Sequence, residues 1–253
     1  MLEKGIGWPF EKMRPELSRA DLLFGTMESV ALTPDFPKDK IDPQGLISSV
    51  AGPDCAEALR RAGFGFMNMA ANHVLDAGTV GMFYTEQCLR ETGIMTGGIG
   101  KTQTEARRMR IIERNGVRFG FLCYCEDNNY SLSTPGPCHA YYQPEAIVKD
   151  VKKNRDRADI IVVSIHADIE FMETPSVPRV AQSRIIAEAG ADIILAHHPH
   201  VPQGIEVHHN CLIAYSLGNF VFDSHSMEYM KRNGPHTAHS FLLLIDIAKK
   251  GVR

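Results

Sequence analysis

An α/β fold is what this 253-residue sequence predicts, on three observations. Strand-like apolar runs alternate with helix-like amphipathic ones along the chain. Two of the runs, "ADIIVVSIH" (158–166) and "ADIILAH" (191–197), are built alike and both end in histidine. Hydrophobic residues at 44% and charged ones at 23% leave ample apolar material for a core. No repeat or linker interrupts the alternation, so a single domain over residues 1–253 is expected.

The elements follow in order. "DLLFGTME" (21–28) reads as a strand, and "PDCAEALRRAG" (53–63) as a helix with Pro53 near its first turn and Gly63 just past its end. A strand at "FGFMNMA" (64–70), a helix over about 79–92 and a short strand around "GIMTG" come next, then a helix that Thr102 or Thr104 caps. "RMRIIERNGVRFGFLCY" is a hairpin turning at Asn115-Gly116. Residues 126–143 carry turn formers without a period and read as a long surface loop. A helix over about 144–157 leads to the strand at 158–166, and a helix over about 178–189 ends at Gly190 before the strand at 191–197. "GIEVHH" and "CLIAYSL" flank Asn210 as a second hairpin, and "SFLLLIDI" (240–247) reads as a last strand.

Composition narrows the function classes. A net charge of −3 gives no electrostatic footprint for nucleic acid, and the cluster "KNRDR" (153–157) is a solvated helix end. No run approaches the roughly 18 apolar residues of a membrane span, and "MLEKGIGWPFEKMRPEL" lacks the apolar core of a signal peptide. As given, the chain reads as cytoplasmic; a longer natural start would allow cell-surface association. Its six scattered cysteines include no CxxC pair and read as reduced thiols, with a disulfide framework the lesser alternative.

Chemistry concentrates where strands end, because side chains there leave the core and meet solvent. His166 closes one strand, and the next runs into His198-Pro199-His200, whose alternate spacing lets two imidazoles face one way from an extended segment. Eight of the eleven histidines lie after residue 196, and neutral imidazole suits Zn, Mn, Fe or Ni. His197, His208 and His209 read as ordinary polar residues on turns or strand faces. In "MAANHVLDAG" (69–78), Asn72 reads either as an amide ligand or as the cap of the following helix, and His73 as a proton donor or acceptor. Glu28 is a carboxylate leaving a buried strand.

The series "ADLLFGTMES", "AANHVLDAG", "IIVVSIHADIEF", "AGADIILAHHPHVPQGIE" and "IAYSLGNFVFD" resembles the CapA family of poly-γ-glutamate capsule synthesis proteins, within the calcineurin-like metallophosphoesterase superfamily. The resemblance covers about residues 8–225. It implies a layered αββα sandwich whose strand-end loops hold one or two divalent metal ions (Mn, Fe, Zn or Ni). By motif matching, Glu28 resembles the carboxylate bridging the metals. Asn72, His166 and His198 resemble ligands of the second metal, and His200 a ligand of the first. His73 then resembles the proton donor to a leaving group, Glu170 a residue orienting His166, and Asp223 a neighbour of the site. Two metals sharing a carboxylate activate water and clamp a phosphoryl-like oxyanion.

The departures carry information too. The family opens with a strand ending in Gly-Asp, which residues 1–20 do not match, as they contain neither Asp nor His. "GTMES" stands for the usual Gly-Asn-Leu-Glu-Gly, and "HADIEF" for His-Trp-Gly-x-Glu-Tyr. The first metal is left with His200 and Glu28. A start downstream of the natural one, a single-metal protein and a lost activity are the three explanations. An absent first strand leaves its neighbour open to pairing, which predicts an oligomer or a marginal domain; a stable monomer in light scattering at micromolar concentration counts against it.

The leading expectation is a metal-dependent hydrolase of a phosphoester-like substrate. A non-catalytic assembly or polymer-handling component of capsular polyglutamate synthesis, partnered by other capsule-synthesis proteins or a second copy of itself, is the alternative. A purely structural zinc site fits less well, because closed structural sites are mostly Cys and His.

Overall fold

The computed structural model describes residues 5, 7–41, 50–126, 136–222, 232, 234, 236–248 and 251–252. The chain divides into two compact units, Met1–Ala106 with Asn128–His139, and Arg107–Asp127 with Ala140–Arg253.

In the first unit, strands β1 (Leu23–Thr26), β2 (Phe64–Asn68) and β3 (Met95–Gly97) form a parallel sheet in the order β1-β2-β3. The register pairs Phe24 with Phe66 and Thr26 with Asn68 across one ladder, and Phe66 with Met95 across the other. Helix α1 (Cys55–Ala62) buries Ala56, Ala58, Leu59 and Ala62, and helix α2 (Gly78–Glu91) buries Met82 and Leu89. These residues share one apolar cluster with Leu23, Phe64 and Met67, so the sheet and both helices are held by one core.

Helix α1 ends as its sequence predicts. Gly63 takes φ +102°, and its N–H donates to the carbonyls of Arg60 and Leu59. A Cβ there would sit 3.2 Å from Leu23 Cδ1, besides entering a conformation that costs an L residue about 1–2 kcal/mol. Gly63→Ala is therefore expected to lower the unfolding midpoint by roughly 2–8 °C at the sensitivity of a chain this long. A calorimetric midpoint equal to that of the unaltered protein would contradict this cap.

The second unit is built on a six-stranded sheet. Its strands are β4 (Arg110–Arg114), β5 (Val117–Cys125), β6 (Ile160–His166), β7 (Ile193–His197), β8 (Ile205–His208) and β9 (Cys211–Ala214), in the order β8-β9-β7-β6-β5-β4. The inner ladders are parallel and the two edge pairs antiparallel. Both hairpins turn in two residues with positive φ: Asn115 (+51°) with Gly116 (+75°), and His209 (+51°) with Asn210 (+63°). All seven residues of β6 are buried, as a strand covered on both faces requires. Helices α3 (Pro144–Asn154) and α4 (Val177–Glu188) pack on each other and supply the crossovers β5–α3–β6 and β6–α4–β7.

Two expected elements differ. Residues 240–247 form no long strand: Ser240 bridges Gly218, residues 241–246 join no ladder, and Ile247–Ala248 pair with Gly251–Val252. Phe241, Leu242 and Leu244 are 44%, 37% and 40% exposed, so the run has strand propensity but, among the described residues, no continuous ladder along it. In the expected loop at 126–143, Cys138–His139 pair with Ile99–Gly100, and Tyr141 bridges Cys125. A two-residue strand is too short to leave a period in sequence.

Candidate metal centre

The ends of the inner parallel strands bring His166, Glu170, His198 and His200 together in the second unit. Register places His166 opposite both Cys125 and His197, so three strands finish level. Beyond them two segments, 167–176 and 198–203, are tied to each other through the backbone. The Ala167 N–H donates to the His197 carbonyl at 3.0 Å and the Phe171 N–H to the Pro199 carbonyl at 2.8 Å. Gln203, only 3% exposed, donates from Nε2 to the Met172 carbonyl at 2.7 Å.

Glu170, His198 and His200 each offer a ligand atom, and these atoms lie within 4.8 Å of one another. His198 Nδ1 also lies 3.2 Å from His166 Nε2. Two nitrogens bound to one ion at about 2.0–2.1 Å each are themselves roughly 3 Å apart, so this pair is spaced as two ligands are. His166 is fully buried and His198 and His200 are 7% and 5% exposed, so little water competes for their ring nitrogens. Imidazole coordinates through an unprotonated nitrogen. The donor set therefore fits a divalent ion of the nitrogen-preferring kind.

The ring of His200 is fixed from behind. Asn219 Nδ2 donates to the carbonyls of His200 (3.2 Å) and Thr237 (3.1 Å), which turns its Oδ1 toward the ring. His200 Nδ1 lies 2.9 Å from that oxygen and so carries the proton, leaving Nε2 with its lone pair for a ligand bond. Phe171 stacks on the same ring at 6.2 Å and Phe222 tilts against it at 5.5 Å.

The backbone here is strained. Seven non-glycine residues among those described have positive φ; Asn115, His209 and Asn210 belong to hairpin turns, and the other four surround this site. They are Asp168 (+94°), Phe171 (+63°), His198 (+100°) and His200 (+58°). Each such conformation costs on the order of 1–3 kcal/mol and persists only where the surroundings enforce it. This corrects the extended segment expected for His198-Pro199-His200. The carbonyls of Ala196, His197 and Pro199 are all claimed by neighbouring chain, and the backbone turns left-handed to reach them. Asp168 occupies the position where the family pattern has glycine, and its φ is one that glycine adopts freely.

In the first unit, Glu28 lies two residues beyond β1, where the Met27 N–H donates to the Asn68 carbonyl at 2.8 Å. Asn68, fully buried, accepts the Ala70 N–H on Oδ1 at 2.7 Å and so shapes the segment carrying Asn72 and His73. Asn72 is 4% exposed and does not cap α2, whose N-cap is Ala77 without a side-chain bond. His73 Nδ1 lies 2.9 Å from Asp76 Oδ2, a carboxylate with no exposed side-chain surface. That bond holds the ring by its Nδ1 side. Asp223 lies outside the described residues.

Sequence reasoning missed two residues. Asp76 was legible as a carboxylate three positions after His73, a spacing that one turn brings together. Asn219 had only a positional signal: it follows Gly218, whose φ of +74° ends the chain's exit from β9.

The family model for the bacterial capsule synthesis protein PGA_cap matches residues 2–224. The capsule biosynthesis protein CapA of Bacillus anthracis is 31% identical over 226 residues, which cover 87% of this chain and 54% of that protein. The PGA biosynthesis protein CapA of Bacillus subtilis (strain 168) is 29% identical, over 87% of this chain and 58% of that protein. The chain thus spans little more than half the length of these relatives. Among solved structures, the Thermus thermophilus sulfate thiohydrolase SoxB superposes with TM-score 0.53 at 16% identity, covering 85% of this chain and 38% of that one. A hypothetical protein from the same organism superposes with TM-score 0.51 at 14% identity, over 84% and 71%. Both likenesses are of fold and agree with a mixed α/β architecture of metallophosphoesterase type. With a match over nearly its whole length, the chain belongs to the bacterial capsule synthesis protein family.

Proposed function

We propose that the chain is a divalent-metal-dependent hydrolase acting on a phosphoester-like or polyglutamate-related substrate in capsule biosynthesis. One observation carries the reading: the convergence of donor atoms from Glu170, His198 and His200, with the His200 tautomer set for coordination. When bound, a divalent ion of this class polarises an oxyanion and lowers the pKa of water. The chain's own residues supply the rest. His166, His198 and His200 present ring nitrogens in a dry site, and Glu170 balances charge. By the motif resemblance alone, His73 would be the proton donor to the leaving oxygen, acting as an imidazolium that Asp76 holds at Nδ1. Glu28 and Asn72 are assigned as further ligands by the motif resemblance alone.

The test is metal content per chain after chelator treatment and reloading with Mn2+ or Zn2+, with hydrolysis of bis(p-nitrophenyl) phosphate measured alongside. At least one bound ion is expected, reduced by one in His200→Ala. With an alkyl phosphodiester, whose alkoxide leaving group needs the proton, turnover is expected to fall about 10²-fold or more in His73→Ala, the usual effect of losing a positioned acid. No bound ion, or content unchanged in His200→Ala, would overturn the metal reading. A second reading, a non-catalytic component that keeps the fold and one ion, is favoured by Asp168 at φ +94° in "HADIEF". Metal binding without turnover would select it.

A further inference from the structure

Beside the candidate metal centre lies a cation that the metal reading does not use. Arg179, in the first turn of α4, is 2% exposed. Its Nη2 donates to Glu126 Oε2 at 2.5 Å, and its guanidinium carbon sits 4.2 Å from the centre of the Tyr142 ring. Its Nε and Nη1 are buried with no hydrogen-bond partner. Burying a charge is costly unless its bonds are saturated, and the one carboxylate here is 48% exposed. A cation in the first helical turn also opposes the helix dipole. Packing alone would be better served by an apolar side chain of similar length.

What Arg179 does complete is a ring of bonds. Glu126 Oε2 also accepts the Asp168 N–H at 3.2 Å, and Asp168 Oδ2 accepts the Ser176 N–H at 2.9 Å. Ser176 Oγ accepts the Arg179 N–H at 3.3 Å, which closes the ring. Glu126 is anchored in turn by its own N–H, which donates to the His166 carbonyl at 3.0 Å. The ring therefore ties both ends of the segment 168–176 to the end of β6 and the start of α4. Glu170 lies inside that segment.

We propose that Arg179 is a positioning residue for the metal site: acting through Glu126, it holds the 168–176 segment so that the Glu170 carboxylate stays with His198 and His200. The proposal rests on reading those three residues as metal ligands.

The test measures Zn2+ affinity of the purified, metal-free protein by competition with a chromophoric chelator, with near-UV circular dichroism reporting the fold. Arg179→Met is expected to weaken binding about tenfold, at the lower end of what supporting residues contribute, and Arg179→Lys to recover part of the loss. Because Arg179 acts through Glu170, adding Arg179→Met to Glu170→Gln is expected to weaken binding no further than Glu170→Gln alone. A residue that merely stabilised the fold would give additive losses. Glu126→Gln carries the same expectations if Arg179→Met does not fold. Unaltered affinity in the folded single variants, or additive losses in the double variant, overturns the proposal. Affinity unaltered in His200→Ala overturns the metal reading instead, and the proposal with it.

Discussion

In a His198→Ala variant the rise in unfolding temperature that Zn2+ or Mn2+ gives the unaltered protein is expected to vanish. His198 is the residue common to both contacts of the centre: it faces His166 at 3.2 Å and belongs to the donor group with Glu170 and His200. A ligand present at about a hundred times its Kd stabilises a folded protein by about 2.7 kcal/mol. For a chain of this length that corresponds to roughly 5–10 °C. With His198 gone, His166 loses its neighbour and the donor group loses a nitrogen, so a shift below about 1 °C is expected by that same linkage. A wild-type shift would remove His198 from the ligand set.

The same position separates ligand from backbone. Residue 198 sits at φ +100°, where alanine is strained and glycine is not. Both His198→Ala and His198→Gly lose the imidazole, so their difference in chelator reports the backbone alone. Glycine is expected to be the more stable by about 1 kcal/mol or more, and neither variant is expected to respond to metal. An alanine variant as stable as the glycine one would show that the left-handed turn is not imposed on the chain.

That turn marks where sequence stopped being enough. Strands β6 and β7 were legible because continuous apolar runs ending in histidine have few other uses, and both hairpins because Asn115-Gly116 and Asn210 favour positive φ. The histidines that converge were legible as strand-end residues. Their backbone was not, because it is set by bonds to other segments: Phe171 to Pro199, and Leu217 to Ala196. Residues 240–247 failed for the related reason that an apolar run specifies strand propensity and not a partner. The short pairing of Cys138–His139 was equally invisible, since it depends on where Ile99–Gly100 lie.

Asn219 is the clearest residue of this kind, and replacing it is expected to cost the site most of its affinity while leaving every ligand in place. Its amide has no freedom: with Nδ2 committed to two carbonyls, Oδ1 can only accept from His200 Nδ1. In Asn219→Ala the ring loses that acceptor, and the tautomer with the proton on Nε2, which cannot coordinate through that atom, becomes accessible. Loss of such a supporting partner typically lowers metal affinity about 10–100-fold, or about 1.4–2.7 kcal/mol. Asn219→Asp separates the two functions of the amide. It keeps an acceptor for the Nδ1 proton but turns a carboxylate oxygen on the carbonyls of His200 and Thr237, a lost donation that costs about 1–3 kcal/mol of stability. The aspartate variant is therefore expected to be less stable than the unaltered protein yet to bind metal more tightly than the alanine variant. Nitrogen-15 NMR of His200 in the metal-free state supplies the direct readout, with the proton on Nδ1 in the unaltered chain and a mixture in Asn219→Ala. If the alanine variant keeps both its affinity and the Nδ1 proton, the ring is held by Phe171 and Phe222 alone, and Asn219 has no part in preparing the site.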